Sequence, residues 1–270
     1  MCIRAHADPR PDGKTYDFIS GIGTFCHEYS HTLGLPDFYD TDYEESGGIS
    51  AGLWLHTSLM DGGNYNNQGN TPPYYNAIER MIAGISDPET ISETGTYRLS
   101  PVNKEGRSYL IKDASEGKFF LLEYRSSEGW DSHIGGSGLL AYQIDTTGSS
   151  FAEWLAYNEV NIDPGHQKAD LLEADGRQDN FQTMDDFHSY RKDLSGIFFP
   201  YNETDMIETD MFTISGIRKE DDNIKFNFIS GDGVQLPPFA TNIVKDVFAD
   251  AAIIGFESSH TYSGEATVAW

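Results

Sequence analysis

Only two cysteines, Cys2 and Cys26, occur in 270 residues. Two thiols cannot staple a chain of this length, so a disulfide scaffold is excluded. No run of roughly 18 apolar residues occurs, which excludes a membrane-spanning helix. Cys2, Ile3, Arg4 and His6 after Met1 form no apolar signal core, so either the protein is cytosolic or its leader is missing. Positive charge is also scarce, with 18 Lys and Arg against 43 Asp and Glu and a formal net charge of -25. Such a field repels duplex nucleic acid and anionic membranes, so neither is an expected partner.

The first 90 or so residues differ in texture from the rest. Phe18, Ile19, Ile22, Cys26, Tyr29 and Leu33 recur at helical spacing, and Gly34 and Pro36 supply a helix ending. A buried helix is predicted, with Cys26 as packing. Asp37 to Gly52 has no period and reads as a loop, and a second helix is predicted from Pro72 or Pro73 to about Ala83.

After Ile85 short β-branched and aromatic runs predict strands: GTYRLSPV, RSYLIKDA, KFFLLEYRS and GSGLLAYQID, then a hairpin turning at Asp221 to Asn223. VQLPPFATN reads as a linker, and the tail as the start of another β module. The expected fold is α+β. Its parts are a catalytic portion over 1–88, a mainly antiparallel β domain over 89–232, and a linker with a further β-sandwich-like module over 233–270.

Chemistry concentrates in FCHEYSHTLGLPDFYD. His27 and His31, four apart on a helix, project from one face and can share a Zn²⁺ ion. Glu28 lies beside such a metal without having to ligate it, which suits a general base acting on zinc-activated water. Gly34 permits a sharp turn, and Asp37, six residues after His31, is the expected third ligand; Glu44, Glu45, His56 and Glu79 are its alternatives. A metzincin-type site also needs a tight turn with Met beneath the ligands, for which SLMDGG offers Met60. Tyr65, Tyr74 and Tyr75 are candidates for the substrate pocket. DFYDTDYEE and DNFQTMDD carry acidic residues at Ca²⁺-ligand-like intervals, but neither fits an EF-hand loop, and a solvated acidic surface explains them more simply.

HEYSHTLGLPDFYD, SLMDGGNYN and GNTPPYYNAIERMIAGI, in this order, resemble the M6 family of bacterial metallopeptidases, the immune inhibitor A type. FFLLEYRSSEGWDSHIGGSGLLAYQID and ADLLEADG extend the resemblance to Gly231. It implies a secreted zinc endopeptidase acting on proteins, with a zincin-like (metzincin) catalytic subdomain, an inhibitory pro-segment and often structural Ca²⁺. It carries the ligand roles to His27, His31 and Asp37 and the base role to Glu28. Members have a long upper half of the catalytic domain before the zinc helix, whereas 26 residues precede His27 here. The chain therefore reads as N-terminally truncated. Two rival readings are an inactive β-rich interaction module and a cytosolic zinc hydrolase of small peptides.

Overall fold

The computed structural model describes residues 21–113, 117–177, 180–190, 193–231, 240–247 and 252–258. In the last two stretches only the backbone is described. The elements in chain order are α1 (Gly23–His31), β1 (Ile49–Ser50), α2 (Ala77–Ile82), β2 (Glu89–Thr90), β3 (Gly95–Leu99), β4 (Ser108–Lys112), β5 (Lys118–Arg125), β6 (Gly138–Asp145), α3 (Phe151–Tyr157), β7 (Ala169–Leu171), β8 (Asn180–Phe181), α4 (Met184–Tyr190), β9 (Ile207–Glu208), β10 (Phe212–Glu220), β11 (Asn223–Ser230), β12 (Ala240–Val247) and β13 (Ala252–Ser258).

Sequence chemistry explains the helix boundaries. Ser150 and Glu153 form a reciprocal capping box at the start of α3, and Asn76 and Glu79 form one at the start of α2. The box sets the start of α2 at Ala77, later than the predicted Pro72 or Pro73, because those prolines lie in extended chain. Gly84, at φ +67°, follows α2 in the left-handed conformation that a side chain would resist.

At the start of α1, the Gly23 N–H donates to the Gly69 carbonyl at 2.8 Å, and a Cβ on Gly23 would sit 1.9 Å from the Asn64 carbonyl oxygen. Glycine is what lets the helix dock so closely on the 64–69 segment. Only Gly23, His27 and Ser30 of α1 are buried, while Ile22, Phe25, Tyr29 and Leu33 remain 39 to 54 % exposed. The expectation of a buried helix is thus corrected to one buried face. Phe18 and Ile19, which began the predicted helix, lie outside the described residues.

The predicted strands form as β3 to β6, and the predicted hairpin as β10 and β11, with Asp221 at φ 54° in the turn. The mixed α and β content with largely antiparallel sheets fits the expected α+β class. Five strands order as β2-β4-β5-β6-β7, antiparallel except for the β2–β4 pair, and four order as β3-β11-β10-β9. β12 pairs with β13.

The five-stranded sheet is covered on both faces, which is why FFLL within β5 reads as an unbroken apolar run and not an alternating one. Leu122, Tyr124, Leu139 and Ala141 pack with Phe212, Ile214 and Phe226 of the four-stranded sheet. Leu121, Leu140, Tyr142 and Ile144 point the other way and join Leu35, Phe38, Met60, Ile78 and Trp154 in a second core. The segment after α1 therefore rests on the face of the sheet.

Charged residues are buried at the same seam. The fully buried Arg125 guanidinium donates to both Asp131 carboxylate oxygens, to Glu123 Oε1, and to the carbonyls of Thr57 and Tyr74. Glu123 also accepts from the Tyr142 hydroxyl at 2.7 Å and from Arg80 at 3.2 Å. β5 in this way grips both ends of the 57–74 segment.

A candidate metal centre beside a cleft

Three side chains converge where α1 meets the loop after it. His27 Nε2 lies 3.0 Å from Asp37 Oδ1, and His31 Nε2 lies 3.7 Å from the same oxygen. The helical offset brings the two rings to 5.1 Å between centroids. Among the described residues these three are the one group of His, Cys, Asp and Glu able to hold a metal, with ligand atoms all within 4.8 Å of one another.

Hydrogen bonding fixes the state of each ring. His27 Nδ1 donates to the Leu59 carbonyl at 2.9 Å, and His31 Nδ1 donates to the Leu35 carbonyl at 2.8 Å. A carbonyl only accepts, so the proton of each neutral imidazole sits on Nδ1 and the Nε2 lone pair faces inward. Asp37 Oδ1 is buried with no hydrogen-bond donor of its own. Two imidazole lone pairs and a carboxylate oxygen thus face one another with no hydrogen between them, and a cation satisfies all three. Tetrahedral zinc with bonds near 2.0 Å places its ligand atoms roughly 3.3 Å apart, and the observed 3.0 and 3.7 Å bracket that value. The residues fit the ion.

The same contacts shift the titration of both groups. Burial lowers the His27 pKa, but the hydrogen bonds to Asp37 and the Leu59 carbonyl outweigh it and raise the value. Burial raises that of Asp37, and the bonds from His27 and Asn158 overcome this and lower it.

The chain from Ser58 to Gly63 turns back on itself, with Gly63 N–H donating to the Ser58 carbonyl at 2.9 Å. Met60 at its centre is fully buried, and its carbonyl accepts from Phe38 N–H at 2.8 Å, next to Asp37. The turn therefore touches two of the candidate ligands, through Leu59 to His27 and through Phe38 to Asp37. Glu79 fastens the turn from below, accepting from Ser58 Oγ at 2.5 Å, Met60 N–H at 2.9 Å and Asn76 N–H at 2.7 Å.

A cleft of about 450 Å³ lies beside the cluster, lined by His27, Glu28 and Thr24 together with apolar Ile49, Leu55 and Phe187. Glu28 is exposed there. Tyr65, 70 % exposed, stands on the cleft. Tyr74 and Tyr75 do not line it. The Tyr75 hydroxyl pairs with Ser30 on the core side of α1, and the Tyr74 ring lies against Gly129 while its carbonyl accepts from Arg125. Tyr39 and Tyr43 line the cleft instead, which the sequence reading had not singled out.

The alternative third ligands have other work or stand apart. Glu79 is enclosed in its own bonds, His56 pairs with Asn66, Glu44 accepts from Met184 N–H at 3.1 Å, and Glu45 is exposed. In DFYDTDYEE, Asp40 accepts from the N–H groups of Ser50 and Asp42 at 3.0 and 3.2 Å. In DNFQTMDD, Asp185 and Asp186 are on the first turn of α4, and Asp179 lies outside the described residues. Among the described residues neither run forms a group of side chains able to hold a metal. Cys26 is half-buried against the core, with burial raising its thiol pKa, as packing requires; Cys2 lies outside the described residues.

The sequence reading missed Asn158, whose side chain meets Asp37 from 121 positions away. An asparagine directly after the helical run FAEWLAY signals a left-handed helix end, and nothing local signals its partner.

Two histidines one helical turn apart, a carboxylate after the turn, and rings aligned by backbone carbonyls make a candidate metal centre with a two-histidine, one-carboxylate donor set. Residues 15–80 match the family model described as immune inhibitor A peptidase M6, catalytic domain, which supports a metallopeptidase in general. No curated protein matches the chain. Among the described residues no helix is long and apolar enough to cross a membrane.

Proposed function

We propose that this protein is a secreted zinc-dependent metalloendopeptidase that hydrolyses peptide bonds in proteins. The observation that carries the reading is the convergence of His27 Nε2, His31 Nε2 and Asp37 Oδ1 beside a cleft that also presents Glu28. Zinc bound there supplies a Lewis acid that acidifies water and polarises the scissile carbonyl.

The residues divide the remaining work. His27, His31 and Asp37 would hold the ion. Glu28 takes the proton of the attacking water and returns it to the leaving amine. Met60 supplies a polarizable apolar floor and does not ligate. The apolar walls at Ile49, Leu55 and Phe187 receive a substrate side chain and exclude water near the cut bond. Protein substrates, export and an inhibitory pro-segment follow from the M6 resemblance. In this reading 1–88 carries the chemistry and 89–232 is a β-rich domain.

The test is metal content by mass spectrometry together with hydrolysis of quenched-fluorescent casein, with and without chelator. Stoichiometric zinc and chelator-sensitive cleavage are expected. Glu28→Gln is expected to retain zinc and lose about 100-fold or more in turnover; undiminished cleavage by that variant removes the mechanism. Absence of zinc from the unaltered protein points instead to the interaction-module reading.

A further inference from the structure

We propose that Asn158 is the positioning residue of the third metal ligand, gripping Asp37 so that Oδ1 alone is presented to the ion. The inference rests on the metallopeptidase reading and extends the site far beyond the segment that matches the M6 family.

The contact has two parts. Asp37 N–H donates to Asn158 Oδ1 at 2.8 Å, and Asn158 Nδ2 donates to Asp37 Oδ2 at 2.6 Å. Chemistry fixes the amide orientation, because a backbone N–H can only donate and a carboxylate can only accept. One amide therefore holds both the backbone and the carboxylate of Asp37. With Oδ2 occupied, Oδ1 is the oxygen that faces the two histidines.

Asn158 is itself held in place. It ends α3 in the left-handed conformation, at φ 55° and ψ 38°, with its N–H on the Trp154 carbonyl at 2.9 Å. Its own carbonyl accepts from Thr41 Oγ1 at 2.7 Å. Trp154, 2 % exposed, packs edge-on against Phe38, the neighbour of Asp37, with ring centroids 6.5 Å apart. Few residues other than asparagine combine tolerance of a left-handed backbone with a donor and an acceptor on one short side chain.

Two variants test the role. Asn158→Gly keeps the backbone conformation and removes the amide; Asn158→Asp keeps the shape but sets a carboxylate oxygen against Asp37 Oδ2. Zinc affinity is measured on the full chain by competition with a chromophoric chelator, the visible spectrum is recorded with Co²⁺ in place of zinc, and the metal-free proteins are melted. The expected result is affinity about 10- to 100-fold weaker in both variants, with an altered Co²⁺ spectrum and metal-free proteins still folded at the assay temperature. Unchanged affinity and spectrum in either folded variant overturn the proposal while leaving the metallopeptidase reading intact. Metal-free variants already melted at that temperature also overturn it, since the residue would then serve general stability. Failure of the unaltered chain to bind zinc overturns the reading itself.

Discussion

Replacing Glu79 with alanine is expected to loosen the floor of the metal site and to cost the fold about 3 to 5 kcal/mol. The side chain is fully buried and accepts three hydrogen bonds, two from backbone N–H groups and one from a hydroxyl. Each buried donor left without a partner costs about 1 to 3 kcal/mol, and partial relaxation of the freely rotating Ser58 hydroxyl keeps the sum below three full penalties. The capping box that starts α2 is lost in the same step.

Glu79→Gln separates the contributions. Its amide oxygen can still accept from Ser58 and Met60, but its NH₂ group then faces the Asn76 N–H, so about 1 to 3 kcal/mol is expected for that one unpaired donor. Urea unfolding of the chelator-treated proteins, followed by tryptophan fluorescence, gives both differences. The same melts repeated with zinc should show the alanine variant gaining less from the metal, because Leu59, which orients His27, belongs to the turn that Glu79 holds. Equal stability of the alanine and glutamine variants, both within about 0.5 kcal/mol of the parent, would refute the reasoning.

Arg125→Met is expected to cost about 3 to 5 kcal/mol, because it strands the buried Asp131 carboxylate without its cation and leaves buried Glu123 with Arg80 alone; a loss under 1 kcal/mol in urea melts would sink this. For pH, Asp61 is the informative group. Burial pushes its carboxyl up to about 7, against the pull of the Leu53, Gly62 and Leu55 N–H groups. A folded value above the unfolded one of about 3.9 stabilises the protein fully below pH ~4, and that contribution is lost as pH rises through the folded value. Asp61→Asn removes this slope, so metal-free stability of the asparagine variant relative to the parent should climb between pH ~4 and ~7, by up to about 4 kcal/mol. A flat difference across that window excludes the shifted carboxyl.

Much of the site was legible before any coordinates because its chemistry is local. The four-residue offset of His27 and His31 is helix geometry, and the Asp37 position follows from a turn six residues on. KFFLLEYR and GSGLLAYQID declare themselves as strands through short β-branched or aromatic runs separated by Gly, Asn, Asp or Ser. The start of α2 was misjudged because proline at a helix entry and proline in extended chain look alike locally, whereas the Asn76–Glu79 box decides between them. The exposed stripe of α1 shows the limit of periodicity, which reports that an apolar face exists and not whether anything covers it.

What the sequence by itself determined is the donor set: two imidazoles, a carboxylate and a neighbouring glutamate on one short stretch, with the helix that spaces them. Tertiary structure decided how those donors are aimed. The carbonyls of Leu35 and Leu59 set the ring tautomers, and Asn158 selects which oxygen of Asp37 is free. It also sent Tyr75 to the core side of α1 and brought Phe187 to the cleft. Apart from the His31–Leu35 bond, which spans four residues, these outcomes depend on contacts between positions tens to more than a hundred residues apart, which helical and strand periods of a few residues cannot encode.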